Sequence, residues 1–178
     1  QMLVAQNGNV SLRSWWSLDY PADGEHPLRP KPEAEEELRS LLTDATRLRM
    51  RADVPVGAYL SGGLDSSLIT ALAAPLALDR LNTFSVTFDD AEHDESQFQR
   101  VVAEAFGSRH HAVGCGPGNI AADFPEVIRA AERPVLRTAP APLFALARLV
   151  RSSGMKVVLT GEGSDEIFGG YDIFREAR

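Results

Sequence analysis

The sequence predicts an α/β protein: a three-layer, doubly wound parallel sheet with helices on both faces. Short runs of β-branched and aromatic residues alternate with longer stretches of helical periodicity, the pattern of successive βαβ units. Two of those runs, VGAYL and KVVLT, end in glycine-rich polar loops that lead into helices, and open parallel sheets hold ligands outside such strand ends. The chain has 178 residues, of which 44% are hydrophobic and 24% charged, enough for one domain with a real core.

Taken in order, MLVAQNGNVSLRSWWSLDY opens with a short hairpin pattern, and Asn7-Gly8 is its turn. PADGEHPLRPKP is rich in proline and charge and reads as a linker. PEAEEELRSLLTDATRLRMRAD is helical: Leu38, Leu41, Leu42, Ala45 and Leu48 recur at three and four along one face, and the glutamates fall in the first turn, where the helix dipole favours them. VGAYL is a buried-strand pattern. SGGLDSS follows it, and LITALAA is a helix ending near Pro75. TFSVTF is a strand by composition. DESQFQRVVAEAFG is a helix with Phe98, Val101, Val102, Ala105 and Phe106 on one side and Gly107 at its C-cap. RHHAV is a strand, NIAADFPEVIRAAE and APLFALARLVRSSG are helices, and KVVLT is the last strand, leading into GEGSDEIFGGY. That makes a sheet of about five strands or fewer, with no internal repeat.

The formal net charge of −7 argues against a non-specific nucleic-acid surface. A single cysteine, Cys115, rules out an internal disulfide and fits the cytoplasm. No apolar run reaches the roughly 18 residues of a membrane helix, and the opening QMLVAQNGNV does not read as a basic-then-apolar leader. The chain opens on Gln1 and stops within the helical pattern DIFREAR, so we expect it to be a piece of something longer.

The two loops carry the chemistry. In SGGLDSS the glycines let the backbone approach a ligand, while the amides and hydroxyls donate to phosphate at the start of a helix. It is not a Walker A loop, which needs a lysine. The plain alternative is a strand-to-helix turn with Ser or Asp as N-cap. The second loop holds Glu162, Asp165 and Glu166 among glycines; such like charges repel unless they face a cation or water. Asp65 with Asp165 forms a hard-oxygen pair suited to Mg²⁺ beside phosphates, leaving Glu162 free for base chemistry. The alternative there is a solvated acidic turn with Asp165 as N-cap. If the two strands are neighbours, both loops face one crevice.

LSGGLDSS resembles the PP-loop of the ATP pyrophosphatases, and LTGEGSDEIFGGY resembles the signature of the glutamine-hydrolysing asparagine synthetases. The order of loop, TFSVTF strand, DES helix, HH and KVVLTGEGSDE is similar to that family, as is the connector-like VAQNGNVSLRSWWSLDY, so the resemblance covers essentially the whole chain. It implies an adenine nucleotide alpha hydrolase-like fold. Residues 1–32 would then be a connector from an N-terminal glutaminase domain, and 33–178 an ATP-binding synthetase domain truncated at its C-terminal end.

The implied reaction is ATP-dependent amidation of aspartate through a β-aspartyl-adenylate, with ammonia from glutamine and release of pyrophosphate and AMP. By the same resemblance Ser61, Gly62, Gly63, Asp65, Ser66 and Ser67 hold the pyrophosphate, and Asp65 and Asp165 lie near Mg²⁺. Leu60, Val86, Thr160 and Gly161 line the adenosine, Glu162 is the base for ammonia attack, and Tyr171 lies close by. The implied partners are the glutaminase domain, aspartate and ammonia or glutamine, with neither nucleic acid nor membrane; a homodimer is left open.

The chain departs from the family in places. Cys115 lies mid-chain and is not an N-terminal nucleophile. The sequence stops at Arg178, soon after the signature and before the later helical part that in the family supplies a lysine near the phosphates, so we expect the site to be incomplete without it. Arg137 stands in ERPVLRTAPAP where many relatives carry aspartate, near the acceptor pocket; an arginine also suits a carboxylate. That keeps open a PP-loop amidotransferase relative acting on another carboxylate. A non-catalytic ATP-binding module is the other alternative, and the intact Asp65, Glu162 and Asp165 speak against it.

Other residues read as structural. His110 and His111 point to opposite faces of a strand, so they do not readily chelate one ion. Cys115 is a small loop residue. Trp15 and Trp16 pack the connector or form an aromatic platform. His93, Asp94 and Glu95 either touch the ribose and gate the site, or provide an N-cap in Asp94.

Overall fold

The computed structural model describes residues 1–19, 22 and 29–176, in two compact units, Gln1–Leu38 and Arg39–Arg178. In the first, β1 (Met2–Gln6) and β2 (Asn9–Arg13) pair antiparallel from Met2↔Arg13 to Gln6↔Asn9. Asn7 and Gly8 between them have φ of 52° and 77°. Positive φ at both central residues is the turn whose twist matches a hairpin. Most of the predicted linker lies outside the described residues. Trp15 and Trp16 are both exposed. Helix α1 runs Lys31–Arg49, with Glu33 in its first turn and Arg47 and Arg49 in its last, each sign facing the favourable end of the dipole.

The second unit is wound around one sheet. Its elements are β3 (Val56–Tyr59), α2 (Leu64–Ala73), a 3₁₀ turn over Ala74–Leu76, β4 (Asn82–Thr87), α3 (Ser96–Ala105), β5 (Arg109–Gly114), α4 (Pro117–Ala131), α5 (Pro140–Ser152), β6 (Val157–Leu159), α6 (Ser164–Phe168) and α7 (Ile173–Glu176). The four strands are all parallel, in the order β5-β4-β3-β6. From β3 the chain steps outward to β4 and β5, then returns to β6 on the other side. With right-handed crossovers that reversal places α2 and α3 on one face and α5 on the other.

The packing follows this division. Phe84, Leu146, Val150 and Met155 form a core against Tyr59, Val86, Val113 and Val158 beneath α5. On the α2 face Ala58, Ala73 and Leu81 pack with Met50, Ala74, Ala77 and Leu159. Alternate residues of β3 and β4 serve opposite faces, as the pleat requires. Gly57 lies under this packing: a Cβ there would stand 2.9 Å from the Asn82 carbonyl oxygen and 2.9 Å from the Phe84 ring.

Two predicted apolar faces differ from what the structure buries. In α3 Phe98, Val101 and Phe106 are exposed, and the residues turned inward are Gln99 and Ala103. In α1 Leu38, Leu41 and Leu48 are exposed while Thr46 is buried. Periodicity identifies a face but not what covers it, and close approach of α3 to the first loop favours small or hydrogen-bonding side chains over bulky ones. Gly107, φ 59°, ends α3 as predicted. The two histidines serve the sheet: His110 Nδ1 lies 3.1 Å from Thr83 Oγ1, whereas His111 Nε2 lies 3.0 Å from Asn82 Oδ1 and its ring stacks on Phe84. Cys115 is buried, and burial, followed by Asp123 and Asp89, pushes its thiol up. Among the described residues no helix is long and apolar enough to cross a membrane.

Candidate functional site

β3 and β6 are neighbours, paired in parallel with Val56↔Val157, Gly57↔Val158 and Ala58↔Leu159. The two glycine-rich loops therefore leave adjacent strand ends, at the point where the strand order reverses and where open sheets hold ligands. Gly161 seals the junction. A Cβ on it would meet the Asp65 Cβ at 2.9 Å and the Ser66 backbone nitrogen at 3.0 Å.

The first loop makes its turn at Gly62, φ 95°, and presses against the start of α3: a Cβ there would lie 2.9 Å from Phe98 Cβ and 3.1 Å from Gln99 N. Helix α2 begins after Gly63, which supplies no side chain to cap it. Its first N–H groups precede the bond from Ser67 N–H to the Gly63 carbonyl, 3.1 Å, and an uncapped helix start of this kind attracts anions. The hydroxyls are wired to one another and to the turn. Ser61 Oγ lies 2.9 Å from Ser66 Oγ and accepts from Gly63 N–H at 3.2 Å. Ser67 donates to the Gly63 carbonyl at 2.6 Å, so its proton is committed within the loop.

Two cavities meet here. One, of about 360 Å³, lies between β3, β4, α3 and α5; Leu60, Val86, Phe88, Gln99, Leu143 and Leu146 are among its walls. The other, of about 210 Å³, lies between the loops and is bordered by Asp65, Ser66, Thr160, Gly161, Asp165 and Tyr171 among others. Tyr59, Ser61 and Glu162 border both. Of the four residues expected around the adenosine, Leu60 and Val86 line the first cavity, Thr160 and Gly161 the second. Asp65, Ser66, Glu162, Asp165 and Tyr171 come together in the second, and Gly62, Gly63 and Ser67 line neither.

The acidic loop is shaped by glycines as well. Gly163, φ 94°, and Gly169, φ 69°, bracket the short α6, and Gly170 leaves the room that the Asp165 carboxylate occupies. Tyr171 donates its hydroxyl to Glu166 Oε1 at 2.8 Å, and that bond, with the surrounding carboxylates, pushes the phenol up. Among the described residues no group of three or more His, Cys, Asp or Glu converges as a self-contained metal cage. Asp65 and Asp165 on one cavity fit the lighter requirement of Mg²⁺, which takes one or two carboxylates and completes its shell with phosphate oxygens and water.

At the mouth of the first cavity, His93 Nδ1 lies 3.0 Å from Asp90 Oδ2. Asp94 holds the loop by accepting from the Ser96 hydroxyl at 2.7 Å and from the Phe88 N–H at 3.4 Å. The Ser96 hydroxyl is the leading cause that keeps the Asp94 carboxyl below its usual range. Arg137 is exposed in the segment before α5, two residues ahead of Ala139, which borders the first cavity. Sequence reasoning missed Gln99, whose carboxamide donates to the Val86 carbonyl at 3.0 Å and to the Ser61 carbonyl at 3.3 Å. The signal was a polar residue at the sheet-facing turn of α3, masked by the apolar stripe beside it.

A parallel sheet with this strand order and a glycine-rich loop leading from β3 into α2 defines the adenine nucleotide alpha hydrolase-like fold class. Among solved structures, the glutamine-dependent NAD⁺ synthetase of Acinetobacter baumannii, in complex with ADP, superposes with a TM-score of 0.56 at 21% identity, over 93% of this chain and 35% of that one. Within that class the chain belongs to the asparagine synthase family, whose model matches residues 37–178. Amidase chyE of Penicillium rubens is 36% identical over 98% of this chain and 28% of that protein. A putative glutamine-hydrolysing asparagine synthetase of Mycobacterium bovis is 44% identical over 79% of this chain and 21% of that protein. The chain thus spans between a fifth and a third of the length of these relatives.

Proposed function

We propose that this chain is the ATP-activating part of an AMP-forming amidotransferase that converts aspartate to asparagine. The observation that carries it is the contact of Gly161 with Asp65 and Ser66, which joins the two loops into one crevice at the strand-order reversal. The apolar first cavity takes the adenosine between Leu60 and Val86, and the second takes the phosphates and the reacting carboxylate. Residues 1–32 serve as the connector to a glutaminase domain that supplies ammonia.

In this mechanism the aspartate side-chain carboxylate attacks the α-phosphorus and pyrophosphate leaves. The amides at the start of α2, with Ser61 and Ser66, receive the charge that builds on the leaving group. Asp65 and Asp165 would hold Mg²⁺, which supplies further neutralisation of that charge when bound. Ammonia then attacks the activated carbonyl; Glu162, on the wall common to both cavities, takes the proton that the nitrogen sheds, and AMP departs.

A second reading differs only in the acceptor. Arg137, two residues along the chain from Ala139 on the wall of the first cavity, together with the likeness to a protein named an amidase, favours a carboxylate other than aspartate. The deciding experiment is to incubate the full protein with Mg·ATP, ammonium and a panel of carboxylates including aspartate, measuring AMP and pyrophosphate. Aspartate-dependent release supports the first reading. Release with another acid alone supports the second, and no release with any acid, despite ATP binding, rejects both.

A further inference from the structure

Gln99 sits on the inner side of α3, 3% exposed, where it borders the first cavity. Both protons of its amide nitrogen are used, one on the Val86 carbonyl at 3.0 Å and one on the Ser61 carbonyl at 3.3 Å. Its Oε1 is buried and has no hydrogen-bond partner, a condition that no other buried side-chain nitrogen or oxygen shares among the described residues. Buried polar atoms in native proteins are almost always satisfied by protein or by water, so an unsatisfied one on the wall of a cavity marks a place where a bound molecule can supply the missing bond.

The orientation of this amide is fixed. Turning it over would set Oε1 against two carbonyl oxygens and give up both bonds, so Gln99 offers an acceptor and never a donor. Gln99 is among the residues that line the cavity, and the terminal torsion of a glutamine is soft, so Oε1 meets a donor arriving there by a rotation that lengthens the weaker, 3.3 Å bond to Ser61 and keeps the bond to Val86. The walls around it, Leu60, Val86, Phe88 and Leu143, are apolar and suit a flat ring. The missing partner is therefore an N–H donor on the edge of a planar heterocycle.

We infer that Gln99 selects the nucleotide base, its Oε1 accepting from the 6-amino group of adenine and rejecting a 6-oxo purine. This rests on the proposed ATP site in the first cavity. A 6-oxo group would present an oxygen to an oxygen, and a purine with hydrogen at that position would leave Oε1 unanswered. In the same stroke the base buttresses the carboxamide that ties the ends of β3 and β4, at Ser61 and Val86, to α3.

The test measures the affinity of the full protein for ATP, ITP and purine riboside triphosphate, in the wild type and in Gln99→Leu. The wild type is expected to bind ATP roughly tenfold more tightly than purine riboside triphosphate, with ITP weaker still. Gln99→Leu is expected to bring ATP and purine riboside triphosphate to within about twofold of each other. An unchanged ratio in a variant that still binds ATP would overturn the role of Gln99 and leave the ATP site standing. Absence of any adenine nucleotide binding in the wild type would overturn both. Should Gln99→Leu not fold, equal wild-type affinities for ATP and purine riboside triphosphate reject the inference without it.

Discussion

Gly161 and Asp65 belong to different loops, yet a single methyl group on Gly161 would stand 2.9 Å from the Asp65 Cβ. The contact is built by the pairing of β3 with β6. It packs the start of α2, with its uncapped amides, directly against the acidic loop. A β-carbon at 161 must displace backbone at Asp65 and Ser66, because those neighbours are not the flexible end of a long side chain.

Gly161→Ala is accordingly expected to lower stability by about 1–3 kcal/mol, the usual cost of overpacking a tight contact. Nucleotide binding should suffer more than stability, since the displaced atoms are those that line the crevice. Denaturant unfolding and ATP titration on the same preparation check this. A variant that keeps both wild-type affinity and wild-type stability would show that the loops are not coupled through this contact.

Leu146 serves two purposes. It is 5% exposed in the core with Phe84, Val150 and Met155, and it borders the first cavity. Leu146→Ala should cost about 2–5 kcal/mol, as large-to-small changes in packed cores do. The wider cavity should also hold adenine less firmly. Guanidinium unfolding read by circular dichroism gives the first quantity. A loss well under 1 kcal/mol would mean that α5 collapses to fill the space.

Both loops were legible in the sequence because glycine, serine and aspartate at a strand end have few other uses, and Asn7-Gly8 announced its hairpin for a similar reason. Strand order was not legible: nothing local in VGAYL or KVVLT states that they pair, since their adjacency depends on the path of about a hundred intervening residues. The apolar stripe of α3 pointed to the wrong inward face: Phe98 and Val101 are exposed, and Gln99 and Ala103 are buried. Gln99 stood out only as a polar residue beside that stripe; that its amide spans Ser61 and Val86 was not legible, because both of those acceptors come from distant elements.

His110 predicts a pH dependence of stability. Burial, reinforced by the neighbouring His111, lowers its pKa from the ordinary 6.5, so the fold prefers the neutral ring. Its contribution is then fully present above pH 6.5 and is lost as pH falls below that value toward the folded-state pKa. Melting temperatures measured in steps from neutral to mildly acidic pH should fall more steeply for the wild type than for His110→Gln, which has no ring to protonate. Parallel curves for the two proteins would place the acid sensitivity elsewhere.

Asp65 and Glu162 separate the two halves of the proposed reaction. Asp65 borders the second cavity alone, the proposed place of the phosphates, while Glu162 borders both cavities. Asp65→Asn removes a charge suited to a divalent ion while keeping shape, so it should weaken Mg·ATP-dependent pyrophosphate release at least about tenfold, the scale of one lost charge-assisted contact, without lowering the melting temperature. Glu162→Gln keeps the hydrogen-bonding shape and loses the base. Exchange of labelled pyrophosphate into ATP, which reports acyl-adenylate formation alone, should survive in that variant, while amide formation drops by roughly 10²-fold or more. If Glu162→Gln instead stops the exchange, Glu162 acts on the activation step and the proton of the attacking nitrogen goes to another group.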